Sequence, residues 1–419
     1  MSSHSDSTHS APAPLDLSKW SKVPGIMIVA GGILSLLGAV VNYKQFSYSW
    51  LTAFMFCLSL CVGGWFLVLI HHVVDASWSV PVRRLNENLA CLFPLLAVLF
   101  IPIALNVAFA GKENIIYHWM TLDPAKDKAL SSKFPLFTKP MFFVTAALCF
   151  ALWSFFAFRL RHWSLQQDKT GAAECTFKMR FLTYLGLPVF AGTVTLAAIM
   201  WMKGLEHEWY STMYGVYYFA SSAWTTIATL YMVTVLLQRA GPLKDVIKEK
   251  QLYFIGSLFF AFTVFYAYIH FSQYFIIWNA NIPEETFYYL QREHGAWWQI
   301  GLVIIFGHFF VPFLALLRID VKLIPAYMFT LTVWAWLMNY ADMAWNVLPM
   351  ARPDGYYLTW VDLACMVFMA GLMLKFWIKS FLARPPYPLK DPRLSEGLDL
   401  YPPITAAAAA VTAGARKAK

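Results

Sequence analysis

SWLTAFMFCLSLCVGGWFLVLI, residues 49–70, carries no charged side chain over its whole length. About 20 apolar residues wound as a helix cross the hydrocarbon core of a bilayer. Read outward from this stretch, nine more reach spanning length. The expected limits of all ten are 23–41, 49–70, 89–110, 138–158, 181–202, 213–237, 251–278, 296–317, 323–347 and 357–380. In lipid only a helix satisfies its own backbone groups, short of a closed barrel. The short alternating segments of a barrel are absent.

Composition agrees. Hydrophobic residues make up 59% of the 419 and charged residues 13%, against about 25% charged in soluble domains. That excludes an ordinary soluble enzyme and a disordered chain. The net charge of +9 is read as a topology signal rather than a nucleic-acid patch. Most of the 32 Lys and Arg fall on the N-terminal side of the expected spans. The exceptions are Lys44, Lys203, Arg292, Arg352 and five lysines between 112 and 139. The positive-inside rule then makes both termini cytoplasmic. The 112–139 connection, with Glu113, Asp123 and Asp127 beside its lysines, is expected to be a folded external loop.

The expected organisation is an all-α polytopic membrane protein. Residues 1–22 read as a disordered cytoplasmic tail with no apolar signal core, 23–382 as the ten-helix membrane domain, and 383–419 as a Pro/Ala-rich, mobile cytoplasmic tail. The connections HHVVDASWSVPVRRLNENLA (71–90) and LLQRAGPLKDVIKEKQLY (236–253) each carry a Pro and a basic cluster. This parallel is the basis for expecting two four-helix bundles, spans 2–5 and 6–9, flanked by spans 1 and 10. None of the six cysteines forms C-x-x-C, so buried free thiols are expected rather than haem or iron–sulfur ligands.

A charge at bilayer centre costs about 2.5–3.5 kcal/mol on insertion scales, so the few ionisable groups inside spans carry the functional reading. Thr263, Tyr266, His270 and Gln273 share one helix face. They read as a proton relay or a hydrogen-bond site for a quinone head group, or as interhelical packing polars. Asn339, Asp342 and Asn346 share another face, and a His270–Asp342 pairing is geometrically open. His308 lies near mid-membrane, four residues before Pro312, which removes a hydrogen-bond donor and is expected to kink the helix. His71, His72 and Asp75 read as the mouth of a proton-uptake path or as a solvated interfacial cluster. Asp362 opens the tenth span, where an Asp is commonly solvated. The proton-path candidates are thus His71, His72, Asp75, His270, His308, Asp342 and Asp362. The quinone-binding candidates are Tyr266, His270, Gln273, Asn339 and Asp342. His270 and His308, the only deep histidines, differ in depth by about one turn, which speaks against a two-histidine haem. No metal ligand set or redox cofactor of the chain's own is expected.

Five runs carry a resemblance: HHVVDASWSVPVRR (71–84), IYHWMTLDPAKDKALSSKFPLFTKPMF (116–142), WYSTMYGVYYFASS (209–222), YFIIWNANIPEETFYYLQREHGAW (274–297) and GHFFVPFLALLRIDVK (307–322). Together they resemble the polysulfide-reductase-like (NrfD/PsrC-type) membrane subunits of alternative complex III, most of all its ActF-type subunit, over roughly 20–385. The resemblance implies a respiratory-chain subunit in the bacterial inner membrane. It implies a sister ActC-type membrane subunit, an iron–sulfur subunit and multihaem cytochrome c subunits as partners, with haem c and Fe–S clusters in those partners. Quinol or menaquinol is the implied donor, and cytochrome c or a cupredoxin the acceptor. The family's quinol site is placed in the sister subunit, which leaves this chain a proton-translocating role. Glu206-His207-Glu208-Trp209 departs from the acid-then-Pro expected there. Two alternatives stand beside this: a quinol site in this chain near His270 and Asp342, and a free-standing ion-coupled transporter. Against the transporter, the repeat is parallel rather than inverted, and Pro94, Pro102, Pro188 and Pro312 have no matching partners.

Overall fold

The computed structural model of the chain describes Leu15 and residues 22–399; the expected tails at 1–14, 16–21 and 400–419 lie outside the described residues. Among the described residues the protein is helical, without strands. The first helices are α1 (Val23–Val41), α2 (Tyr43–Val73), α3 (Val80–Ala90), α4 (Phe93–Leu99), α5 (Ile101–Phe109), α6 (Lys128–Ser132), α7 (Lys139–Thr170) and α8 (Ala173–Trp201). They are followed by α9 (Tyr214–Ala240), α10 (Glu249–Ala280), α11 (Pro283–Leu290), α12 (Ala296–Ile304), α13 (Val311–Leu316), α14 (Ile319–Leu323), α15 (Pro325–Val347), α16 (Trp360–Leu382) and α17 (Leu394–Asp399).

Among the described residues, nine helical segments are long and apolar enough to cross a membrane. They are α1, α2, the α3–α5 run, α7, Ala173–Leu205, α9, α10, Ala296–Leu316 and α16. The expected stretch 323–347 forms α15, which has the length of the others but not their apolarity. Asn339, Asp342 and Asn346 lie among its buried residues. The third expected span begins earlier than 89 and is broken. Its two interruptions each precede a proline, Pro94 or Pro102, in the first turn of the next helix, where a missing N–H costs nothing. Because α3 starts at Val80, Arg83, Arg84 and Glu87 are buried rather than held in a solvated connection.

α2 and α9 form the centre and are buried on nearly all sides. α2 packs on α3, α8, α9, α15 and α16, and α9 on α8, α10 and α15; α7 packs on α8, and α1 on α16 and α2. Small residues permit this closeness. A Cβ on Gly63 of α2 would lie 2.5 Å from the Ser222 carbonyl oxygen of α9, and one on Gly31 of α1 would lie 2.6 Å from the Phe368 backbone nitrogen of α16. Side chains set the helix starts. Asn42 caps α2 through the Gln45 amide, and Thr359 and Asp362 cap α16 reciprocally.

The 112–139 connection is folded. The Asn106 side chain donates to Asn114 O and accepts from Ile116 N, and Tyr117 donates to Trp201 O at 2.8 Å. The segment after Arg384 is a correction. Its described part, to residue 399, is packed against the helices rather than mobile, with Tyr387, Asp391 and Leu394 buried. The helix before Pro312 adjusts by a π-helical segment, Ile305–Phe310, one of the usual accommodations in a disturbed helix ladder.

Candidate functional site

Three helices bring their polar faces together around Asp342, which is fully buried. α15 supplies Asn339, Asp342 and Asn346, α9 supplies Tyr214, Tyr217 and Ser221, and α10 supplies Tyr266. Asp342 Oδ1 accepts hydrogen bonds from the hydroxyls of Tyr217 and Tyr266, the latter at 3.0 Å, and Oδ2 accepts from Ser221 at 3.2 Å. Ser221 Oγ also lies 2.7 Å from Asn339 Oδ1, and Asn339 Nδ2 donates to Ser59 Oγ on α2 at 3.2 Å. Asn346 closes the other side. Its Nδ2 donates to the Tyr217 oxygen at 2.9 Å, and its Oδ1 accepts from Tyr214 and Tyr288. Among the described residues no cation pairs with Asp342. Hydroxyl donors alone surround it, so it can take up a proton by returning one acceptor contact and give it back by restoring it.

The expected His270–Asp342 pairing is not formed. His270 stacks against Tyr217 and Tyr266, with ring centroids 5.6 and 5.7 Å away, and its Nε2 has no hydrogen-bond partner. His308 lies 3.6 Å from the Tyr266 ring and 3.8 Å from Trp224, centroid to centroid, and neither of its nitrogens has a partner. The carbonyl bound within the π-helical segment is that of Gly307, which accepts from the Trp334 indole at 2.7 Å. Gln273, expected on the same face, lies apart from Asp342, bonded to Ser211 and Tyr289.

Beside this centre is a cavity of about 640 Å³ between α10, α12 and the π-helical segment. Tyr266, His270, Arg292 and Trp345 reach its wall, and exposed Phe271, Trp298 and Phe310 form part of the remainder. Arg292 has no donor to spare. It bonds to the carbonyls of Trp345, Tyr288 and Asn346 and pairs with Glu206 at 3.0 Å. Burial pushes the Glu206 carboxyl up, and the Arg292 guanidinium pulls against it without bringing it back to the ordinary range. The cavity therefore offers rings, a histidine and the exposed Glu293, with no free cation among the described residues that line it.

The remaining candidates sit elsewhere. Asp362 is buried, not solvated: it pairs with Arg352 at 2.8 Å and accepts from Ser49 at 2.6 Å. His71, His72 and Asp75 lie at the opposite end of α2. His71 and His72 are buried, and Asp75 pairs with Arg180 and Arg393. Asp127, His207 and Glu208 bring three donor atoms within 4.8 Å of one another. His207 Nε2 meets Asp127 at 2.8 Å, and the Lys133 ammonium bonded to the His207 carbonyl already supplies a cation.

Tyr214, Tyr217, Ser221 and Tyr288 were absent from the sequence-based candidates. The first three recur at i, i+3 and i+7 in YGVYYFAS (214–221), the same period that marked α15. Hydroxyls on an aromatic-rich helix gave the weaker contrast. A scan against protein-family models finds no match, and no curated protein matches the chain.

Proposed function

We propose that the chain is an integral membrane subunit of a quinol-oxidising electron-transport complex, of the ActF type in alternative complex III, with Asp342 as its membrane-buried proton-transfer group. In this reading the chain crosses the bacterial inner membrane ten times, with α15 as the ninth crossing, and both termini are cytoplasmic. Spans 2–5 and 6–9 form two four-helix groups flanked by the first and tenth. The redox centres belong to the partners: an iron–sulfur subunit, multihaem cytochromes and a sister membrane subunit.

One observation carries the assignment of Asp342: a fully buried carboxyl ringed by three hydroxyl donors and paired with no cation. Asp362 shows what a structural carboxyl looks like in this protein, held by a buried arginine. Asp342 bears its desolvation without that compensation, the usual mark of an intramembrane functional residue. The test is Asp342→Asn in the assembled complex. Quinol turnover falls about 100-fold, the lower range for a positioned proton-transfer group, while subunit composition is retained. Unchanged turnover and proton release would remove Asp342 from the mechanism.

The cavity favours a second reading, in which a quinol ring binds in this chain. A largely apolar space with aromatic walls, one histidine, Glu293 at its lining and no free cation among the described residues suits an uncharged lipid-soluble ring. Tyr266 joins it to Asp342 by a 3.0 Å hydrogen bond. A photoreactive quinone analogue is expected to mark peptides from α10 and α12. Labelling confined to another subunit excludes the site.

A further inference from the structure

At the end of the molecule away from Asp342, the C-terminal segment crosses back over the helices and seals a second buried charge cluster. Asp391, its side chain wholly buried, pairs with Arg83 of α3 at 2.6 Å and with Arg393 at 3.0 Å. Burial raises its carboxyl, but Arg83 and Arg393 overrule this and hold it well below the usual carboxylate range. Arg393 pairs with Asp75 at 2.7 Å. Upstream, the backbone of Leu389 donates to Asp168 of α7 at 2.9 Å. Downstream, Lys248 and Gln251, at the start of α10, donate to the carbonyls of Leu398 and Gly397. A Cβ on Gly397 would lie 2.5 Å from Ser77 O, so backbone meets backbone there.

Arg83, which Asp391 of this segment pairs with, also reaches His71, whose ring centroid lies 4.7 Å from that of His72. Arg83 can only donate, so its 2.9 Å contact makes His71 Nε2 an acceptor and places the proton on Nδ1, which meets Ser79 Oγ at 2.6 Å. Both nitrogens of His71 are thus occupied. His72 is 1% exposed and neither of its nitrogens has a partner; Arg83, Arg393, Asp391 and Arg180 are the charges that act on it. A polar ring left unpaired in a dry site is costly.

We infer that residues 387–398 form a docked gate, which shuts the His71–His72 pair off from the aqueous phase and admits water to it when the segment lifts. The cluster becomes an entry point only in the lifted state. The inference concerns access alone and stands apart from quinol oxidation, so either can fail without the other.

The experiment is diethyl pyrocarbonate modification of the purified full-length protein, read residue by residue by mass spectrometry. His162 and His294, both exposed, serve as internal references. In the intact protein His72 stays unmodified while the references react. A protease site inserted between Arg384 and Tyr387, cut after purification of the Asp391→Asn chain, frees the segment. His72 reactivity then rises about tenfold or more, as local opening exposes it. His72 reacting like the references in the intact protein overturns the gate. So does unchanged reactivity once loss of the whole peptide C-terminal to the cut is verified. Cutting follows folding, so a variant that cannot assemble is replaced by the same cut in the Asp391 chain, with the segment washed off at high salt.

Discussion

Two aspartates within 20 residues of each other in sequence show how differently burial can be arranged. Asp362 has the buried guanidinium of Arg352, which also donates to Tyr357 O. Removing one partner of such a pair leaves a bare buried charge, at a cost of about 3–5 kcal/mol. Arg352→Ala is therefore expected to lower the thermal unfolding temperature markedly in detergent, with the Arg352→Gln, Asp362→Asn double variant recovering part of the loss. If Arg352→Ala unfolds like the parent, the pair does not hold α16 in place. Asp342 was legible in the sequence because a lone acid in an apolar helix is conspicuous. The burial of Asp362 was not: an Asp opening a span reads as solvated, whereas it caps α16, and its arginine lies in the preceding loop. His270 and His308 were legible as deep groups, but their contacts were not, because ring stacking on Tyr266 leaves no spacing signature.

At the level of elements, the helices with apolar runs were readable and the broken ones were not. α3 is the clearest case. Its charges disguise it as a connection, while burial of Arg83 and Arg84 against Glu87, Asp168 and Asp391 makes it core. α15 is the converse, a helix whose polar face, Asn339, Asp342 and Asn346, stood out in the sequence and is buried among its apolar packing residues. The α2–α9 contact depends on Gly63, where an added methyl group would lie 2.2 Å from Thr226 Oγ1 as well as close to Ser222 O. Gly63→Ala forces these two central helices apart, at about 1–3 kcal/mol for overpacking. The variant should melt earlier than Gly192→Ala, where a Cβ meets nothing within 4 Å. Equal melting of the two would show that the contact has room to spare.

Across the whole molecule, the helical membrane class followed from composition and length, since lipid leaves a chain few alternatives. How the helices assemble did not. That depends on glycine contacts, on hydrogen bonds such as Tyr218 to Met55 O, and on residues hundreds of positions apart. The fate of the stretch after Arg384 was hidden for the same reason. Its prolines and charges match a solvated tail, and only the three-dimensional arrangement pairs Asp391 with Arg83 and Arg393 with Asp75.

Arg83 and Asp391 lie 308 positions apart. Chains emerge from the ribosome N-terminus first, so the arginine enters its helix long before its carboxylate is made. Until Asp391 itself is made, Arg83 has only Glu87 among the acids it pairs with here. The closing of this contact thus records that synthesis has passed residue 391, and a product truncated before it would lack the seal.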